Sequence, residues 1–281
     1  MSMISTELDW LEIRLHELYH EVDYFIIVEA VTTFTKTPKP LHVKNAWSKF
    51  RRYHSKMIHH VVDFSPLTMQ KNDTWEQENF MRQAMYDQAL LSQIGNKAPQ
   101  LGDVLIVSDV DEVPRRSTIP VLRNCAFPAR TTLRSDFYYY SFQWKHRGKL
   151  WEHPQATFFK GMNDTIGPHE LRGGIWSKPY FEFYNAAWSC SSCFATLKDL
   201  RTKITSFSHV EYNLEKFRET GWLVDCVRFG RDLFNRTREV YDRVEGNRDL
   251  PEVLLTEEGR GKFGYMLDRD GVDGGLRDVE P

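Results

Sequence analysis

Four consecutive apolar residues at positions 104–107 constrain the fold more than any other segment. Because they do not alternate with polar residues, they predict a strand buried on both faces of a parallel sheet. Three carboxylates follow directly, those of Asp109, Asp111 and Glu112. Ligands of open α/β sheets bind beyond the carboxyl ends of the strands, so we predict a binding site at these acids.

Carboxylates this close repel one another unless a positive charge lies between them. A divalent cation is the simplest such charge, and Mg²⁺ or Mn²⁺ bound by oxygen ligands often also binds substrate phosphates. We therefore predict a metal-bound phosphate ester at this strand end. The alternative is an acidic turn that contacts only solvent.

The residues before this strand alternate between strand and helix patterns. A capping box at 6–9 begins a helix after a short stub of strand at 3–4, and strands at 24–28 and 57–64 precede a helix at 75–94. This alternation predicts right-handed βαβ units and a mostly parallel nucleotide-binding sheet flanked by helices. Gly-x-Gly-x-x-Gly and Walker A motifs are absent, so a metal would have to bind the diphosphate.

Two residues near this sheet are further candidates for donor binding. Glu29 ends the second strand, where it either shares a crevice with the other acids or is a solvated loop residue. Arg82 lies on the helix before the acidic strand, where it either contacts the donor or forms a surface salt bridge.

Aromatic residues dominate the chain beyond Cys125 and predict an antiparallel sheet. Most of these rings would form its core. A few would stack against the apolar face of an acceptor sugar, because Tyr and Trp combine a flat ring with a polar group. The candidates are Tyr139, Trp144, Trp176 and Trp188.

Further site candidates come from the last third of the chain. The segment 203–209 predicts a short strand that ends on His209, whose imidazole is a candidate third metal ligand. Transfer to a hydroxyl needs a general base, and Glu182, Glu211 and Asp225 are candidates. The residues 268–281 contain many Gly, Asp and Arg and few large apolar residues, so we predict a mobile tail after one domain at 1–267.

Composition limits the classes of partner. The chain has 281 residues, a formal net charge of −2 and only isolated basic pairs, so we expect no nucleic-acid partner. It has no apolar run of about 18 residues, so we expect no membrane segment. Three sequons, at 72–74, 163–165 and 235–237, favour a secretory lumen. Cys190 and Cys193 predict a local disulfide or two buried thiols.

Several segments resemble glycosyltransferase family 17 in an order that runs across nearly the whole chain. They are 7–15, 28–29 with 39–41, 108–114 and Trp188-x-Cys190-x-x-Cys193-Phe194. The resemblance implies a GT-A-like fold, UDP-N-acetylglucosamine as donor and a glycan or glycoprotein acceptor, with mannose as the expected acceptor sugar. It also implies a divalent metal, Mn²⁺ before Mg²⁺, inversion at the anomeric carbon, and location in the Golgi or secretory-pathway lumen.

The resemblance also assigns roles to individual positions. Asp109 and Asp111 correspond to the family's Asp-x-Asp motif, which implies metal and donor binding, and Glu112 belongs to its usual continuation. His209 follows Ser208 as in other members, which implies that it binds the metal. One departure is Ser189, where a histidine is expected, and a serine cannot replace histidine as a base.

Two alternatives remain open at this stage. A phosphatase of the haloacid dehalogenase type would use Asp109 as nucleophile and Asp111 as acid and base, although about a hundred residues precede a motif that normally opens the domain. A sugar-binding homologue that has lost turnover is the second alternative, which the change at Ser189 supports.

Overall fold

The computed structural model describes residues 1–67, 73–173 and 180–279. The strands in chain order are β1 (Ser2–Met3), β2 (Phe25–Glu29), β3 (Met57–Val61), β4 (Val104–Asp109), β5 (Glu112–Pro114), β6 (Thr131–Tyr139), β7 (Ser141–His146), β8 (Gln155–Phe158), β9 (Phe181–Ser191) and β10 (Tyr241–Arg243). The helices are α1 (Leu8–Leu18), α2 (His42–Asn45), α3 (Thr74–Ala84), α4 (Thr118–Asn124), α5 (Pro168–Gly173), α6 (Leu197–Ser206), α7 (Thr220–Phe229) and α8 (Glu257–Phe263).

This α/β domain is made of two compact units. Unit 1 contains 1–135 and 152–187, and unit 2 contains 136–151 and 188–281. The strands β6 and β9 each contribute residues to both units. The predicted α/β class is therefore confirmed, with the parallel strands in unit 1 and an antiparallel, aromatic-rich part in unit 2.

Unit 1 contains a sheet with the order β3-β2-β1-β4-β8-β6. The first four of these strands are parallel, and β8 is antiparallel to both β4 and β6. The predicted stub at 3–4 overlaps the central strand β1 at Met3, which pairs with Val28 on one side and Asp109 on the other. After β3 the chain returns through α3 to the opposite side of β1, so the strand order reverses between β1 and β4.

The core of unit 1 explains why these segments form a parallel sheet. Residues of β2 are all buried, and Val107 of β4 has no exposed surface. Asp73 is the N-cap of α3, and its side chain accepts a hydrogen bond from the Trp75 N–H at 2.9 Å; the helix continues as a π-helix at Met85–Leu90. Met81, Ala84 and Met85 of this helical segment pack on the sheet.

Unit 2 contains the C-terminal part of β6 with β7 and β10 in an antiparallel arrangement. Tyr139, Tyr140 and Trp144 form its core with residues of α6 and α7, including Leu200 and Leu223. The indole N–H of Trp144 donates to the carbonyl of Val227 at 3.0 Å, so this ring satisfies its polar group inside the protein.

Three predictions about elements were wrong or inexact. The segment 203–209 does not form a strand, because Lys203–Ser206 ends α6, whose Leu197, Leu200 and Ile204 are buried at helical spacing. The helix α1 begins at Leu8 after Glu7, and no side-chain cap bond forms. The strand at 57–64 is shorter than predicted and ends at Val61.

The predicted tail at 268–281 packs against the rest of unit 2 through some of its residues, and its mobility stays a prediction. Arg269 has no exposed surface, and its guanidinium donates to the carbonyls of Tyr140, Phe194 and Gly274 at 2.7–3.2 Å. The carboxylate of Asp278 accepts the backbone N–H groups of residues 197 and 198 at the start of α6. Residues 280–281 lie outside the described residues.

Candidate active site

The predicted acids lie at the point where the strand order of unit 1 reverses. We call Asp109, Asp111 and Glu112 the acidic edge. Asp109 is the last residue of β4, and Glu112 begins β5 three positions later. Ligands of open α/β sheets bind at this reversal point, beyond the carboxyl ends of the strands. The fold therefore puts the acidic edge where the sequence predicts a site.

Asp109 is bound by two arginines in this structure. Its Oδ1 accepts from Arg82 at 2.8 Å and its Oδ2 from Arg172 at 2.8 Å. Burial would raise the pKa of the Asp109 carboxyl, but the charges of Arg172 and Arg82 outweigh it and hold this pKa well below its usual value. Asp109 is thus ionised at neutral pH, and its side chain is 32% exposed.

Arg82 connects Asp109 to a second acid. It is 4% exposed, lies on α3, and donates to Glu78 at 2.8 Å as well as to Asp109. The sequence left open a donor contact or a surface salt bridge, and the structure shows ion pairs in which Arg82 is buried while Asp109 and Glu78 are partly exposed. Donor contact by Arg82 stays a prediction.

Glu112 is the most enclosed member of the acidic edge. Its carboxylate accepts two hydrogen bonds from Arg172, at 2.6 and 2.7 Å, and one from the Asp109 N–H at 2.8 Å. Burial would raise its pKa, but Arg172 lowers it below the ordinary value. Glu112 therefore fixes both the backbone of Asp109 and the guanidinium of Arg172, and a direct donor contact by Glu112 stays a prediction.

Two further groups lie near these charges. Arg14 of α1 is 4% exposed and donates to the Glu112 carbonyl at 2.7 Å; burial lowers its pKa to about 10, against the opposing effect of the three acids. Burial and the charge of Arg172 lower the pKa of His153 to about 4. His153 is therefore neutral at pH 7.

The arginines change the electrostatic reasoning about a metal. Arg14, Arg82 and Arg172 neutralise the acidic edge, so the acids do not need a cation for charge balance as we predicted from the sequence. Asp109 and Asp111 still offer the hard oxygen donors that Mn²⁺ and Mg²⁺ prefer, so they fit such an ion in donor chemistry.

Asp109 and Asp111 are not part of a preformed three-residue metal site among the described residues. Throughout residues 1–67, 73–173 and 180–279, no group of three or more His, Cys, Asp or Glu side chains is arranged to hold a metal ion. An ion bound at the acidic edge would share Asp109 with Arg82 and Arg172. Metal binding by Asp109, Asp111 and His209 stays a prediction.

Glu29 is neither a solvated loop acid nor part of the acidic edge. It is fully buried, and its carboxylate accepts the backbone N–H groups of Val43 and Lys44 at 3.1 and 2.9 Å and contacts the His59 imidazole at 2.7 Å. Burial would raise its pKa, but these hydrogen bonds, led by that of His59, lower it. Glu29 thus anchors α2 on the end of β2, and a role in donor binding stays a prediction.

The candidate bases are all engaged with neighbouring charges or hydroxyls. Glu182 accepts from Arg134 at 2.9 Å, and hydrogen bonds from Tyr184 and Arg134 lower its pKa, which makes it a weaker base. Glu211 in unit 2 pairs with His209 Nδ1 at 2.8 Å, and this bond lowers its pKa. Asp225 pairs with Arg231 at 3.3 Å.

The predicted acceptor platform is wrong for the three rings that the structure describes. Tyr139, Trp144 and Trp188 are 3%, 7% and 5% exposed. Tyr139 stacks on Tyr241 with ring centroids 4.8 Å apart, and the Trp188 N–H donates to Asp249 at 3.1 Å. Their faces pack in the core, so they cannot hold a sugar here. Trp176 lies outside the described residues.

No local sequence pattern singles out Arg172 or His153. Arg172 lies in the short helix α5, and only the chain's path brings it to acids about sixty residues away. Arg14 had a recognisable signal, because it falls between Leu11 and Leu18 on the apolar face of α1. A charge on a buried helix face indicates a buried partner.

Cys190 and Cys193 form the predicted local disulfide, while Cys125 is an exposed thiol and Cys226 a buried one. Ser189, next to this disulfide, is 3% exposed. In the part of the chain that the structure describes, no helix combines the length and apolar character needed to cross a bilayer.

Comparison with known proteins adds an independent observation. The family model described as Glycosyltransferase family 17 matches residues 1–254. The chain is 25% identical to human beta-1,4-mannosyl-glycoprotein 4-beta-N-acetylglucosaminyltransferase, with 94% of this chain and 54% of the relative covered. The proteins of the same name from rat and mouse are 25% and 24% identical, with 98% and 94% of this chain and 56% and 53% of the relatives covered. No solved structure matches.

The chain thus spans about half the length of the curated relatives it matches. The family match covers β4 and the acidic edge as well as the disulfide. The family match removes the support for a phosphatase of the haloacid dehalogenase type. In such a phosphatase the Asp-x-Asp strand would be the first strand of the chain, whereas β4 follows three other strands.

Proposed function

Because this chain belongs to glycosyltransferase family 17, we propose that it transfers N-acetylglucosamine from UDP-N-acetylglucosamine to a mannose-containing glycan. The match over residues 1–254 is the observation that carries the proposal. The names of the relatives support the sugar and the glycoprotein acceptor. Inversion, a GT-A-like fold and a divalent metal are further parts of the proposal.

The position of the acidic edge supports a nucleotide-sugar donor at the carboxyl ends of β1 and β4. A divalent cation held by Asp109 and Asp111 would neutralise the charge on the departing UDP. Glu112 positions Asp109 through the backbone N–H and positions Arg172 through two hydrogen bonds. These contacts keep the edge rigid, which transition-state stabilisation requires.

The pairing of Glu211 with His209 supports an orienting role for Glu211. A histidine that donates its Nδ1 proton to a carboxylate presents Nε2 to a metal, and such carboxylate partners fix the ring and raise its basicity as a ligand. The two side chains are 2.8 Å apart. We therefore propose that Glu211 orients His209, and that the base is to be sought among other carboxylates.

A secretory-pathway lumen is the proposed compartment. Disulfides form and persist in oxidising compartments, and Cys190 and Cys193 are joined. The asparagines of two sequons, Asn163 and Asn235, are exposed, as N-glycosylation requires.

Transfer is tested with UDP-N-acetylglucosamine, Mn²⁺ and a mannose-containing oligosaccharide, and product is identified by mass spectrometry. Asp111→Asn should reduce transfer by at least about a hundredfold, since it removes a charged ligand of the proposed ion. Its melting temperature should stay close to that of the wild-type protein, because Asp111 is half-buried.

Two results would contradict the proposal. Wild-type protein that binds the oligosaccharide but neither transfers nor releases UDP would be a sugar-binding homologue without turnover, the alternative that Ser189 raised. Full activity of Asp111→Asn, or equal activity after exhaustive chelation, would exclude the proposed metal site.

A further inference from the structure

The segment 180–184, which includes the start of β9, carries exposed aromatic residues that none of the predictions used. Tyr180 and Tyr184 are 37% and 59% exposed, and they flank Glu182. Side chains two positions apart on an extended chain lie on the same face. The Tyr184 hydroxyl donates to Glu182, and Tyr180 forms a second hydrogen bond with it. We call these three residues the Tyr-Glu-Tyr face.

A buried arginine supports this face from behind. Arg134 is 8% exposed and donates to Glu182 at 2.9 Å, and its Nη1 pairs with Glu152 at 3.0 Å. One arginine and two carboxylates leave one net negative charge. This charge balance suits a neutral ligand that donates hydroxyl protons, and it disfavours phosphates and acidic peptides.

The Tyr-Glu-Tyr face and the acidic edge both belong to unit 1. Glu152 precedes His153, and the charges of Arg172, Glu112 and Asp109 all act on the His153 imidazole. The hydroxyl of Ser135, next to Arg134, donates to the His153 carbonyl at 2.5 Å. The residue pairs 134–135 and 152–153 therefore link the two groups only along the backbone, because the side chains of Arg134 and Ser135 point to opposite faces of β6.

The backbone separates this face from the core. At Asn185 the strand takes a positive φ of 52°, and the next residues, Ala186 and Ala187, have no exposed surface. The turn in the backbone at Asn185 thus divides β9 into an exposed half and a buried half. It leaves the two tyrosines presented to solvent.

We propose that the Tyr-Glu-Tyr face is the acceptor subsite and binds a neutral sugar ring of the glycan, which rests on the proposed transferase function. The tyrosine rings supply flat apolar surfaces for the C–H face of the sugar, and Glu182 accepts hydrogen bonds from its hydroxyls. This gives Glu182 a binding role in place of the role as a base.

Substitution of the tyrosine separates the ring from its hydroxyl. Tyr184→Ala should raise the KM for a trimannosyl oligosaccharide about tenfold, because a lost ring contact of this kind corresponds to about 1.4 kcal/mol. Its kcat should stay within about twofold, and Tyr184→Phe, which keeps the ring, should stay within about threefold in KM. Phe229→Ala removes a 50% exposed ring in unit 2 and is the matched control.

Glu182→Gln distinguishes the two roles of the acid. If Glu182 binds the acceptor, the variant should have a higher KM and an unchanged pH dependence of kcat. If Glu182 is the base, kcat should fall by a large factor and the acidic limb of the pH profile of kcat should disappear. UDP release from the donor without acceptor is measured for the wild-type protein and for the Phe229→Ala control, and the two rates should be equal.

These readouts keep the two proposals apart. If the wild-type protein releases UDP but Tyr184→Ala matches Phe229→Ala in acceptor KM, the acceptor subsite is wrong and the transferase stands. If the wild-type protein shows no transfer or UDP release, saturation-transfer NMR with the same oligosaccharide tests the face directly, and equal signals from wild type and Tyr184→Ala overturn it. A face that binds an extended peptide but does not bind the oligosaccharide would also overturn the proposal.

Discussion

Replacing Arg172 with methionine tests how much of the free energy of unfolding depends on the ion pairs at the acidic edge. Methionine keeps the apolar stem but removes three hydrogen bonds, two to Glu112 and one to Asp109. The Glu112 side chain is 3% exposed, so water cannot replace what it loses. Removing one partner of a buried ion pair costs about 3–5 kcal/mol. We expect about 3 kcal/mol at pH 7, because Arg82 and the Asp109 N–H remain.

The pH dependence gives this prediction its sign. In the wild-type protein the pKa values of Asp109 and Glu112 lie below their ordinary values of 3.8 and 4.5, so their stabilisation is present above those values and is lost as the pH falls through the folded-state pKa. Without Arg172, burial raises the pKa of Glu112. The folded variant then binds a proton that the unfolded chain releases, so the destabilisation should shrink between pH 7 and pH 5.

Urea unfolding followed by tryptophan fluorescence at pH 7 and pH 5 measures both quantities. Arg147→Met is the control, because Arg147 also donates three hydrogen bonds, to Asp242, but the two side chains are 65% and 48% exposed. An exposed pair contributes about 0–1 kcal/mol. Equal losses in the two variants, or a loss for Arg172→Met that grows toward pH 5, would show that the network does not carry the stability assigned to it.

Two further predictions concern unit 2. Arg269→Met should lower the free energy of unfolding by about 3 kcal/mol, because it leaves the carbonyls of Tyr140, Phe194 and Gly274 without their donor; an unchanged urea midpoint would contradict this. The Cys190–Cys193 disulfide closes a loop of only four residues. Its reduction should therefore lower the free energy of unfolding by about 2 kcal/mol on the chain-entropy estimate. Thermal unfolding with and without reductant measures this loss, and no change in Tm would refute it.

Local patterns in the sequence were enough to predict the parallel half of the fold. The apolar run at 104–107 and the acids after it form β4 and the acidic edge, since a strand buried on both faces needs only its own side chains to be recognised. The segment 203–206 shows the limit of such patterns. Its Ile204 and Thr205 favour a strand, but the apolar spacing from Leu197 places them in α6.

Contacts between distant residues were the part that the sequence did not reveal. Arg172 and Arg269 read as surface charges, because nothing in their immediate neighbours indicates a buried partner. The Glu112 partner of Arg172 is sixty residues away, and the Phe194 and Tyr140 carbonyls that bind Arg269 are 75 and 129 residues away and are neutral. The prediction of acceptor-binding rings was wrong for the opposite reason. An aromatic segment does not show which of its rings will be buried in the core.

The reversal of chain direction at β8 has a consequence for how acceptor preference can diverge. Because β8 runs against β4, the residues before it, 152–154, return to the edge at which β4 ends. If the proposed acceptor subsite is correct, residues that contact the acceptor can be exchanged there and in β9 without altering β1 to β4. Members of such a lineage would keep one sugar nucleotide while they change the glycan to which they attach the sugar.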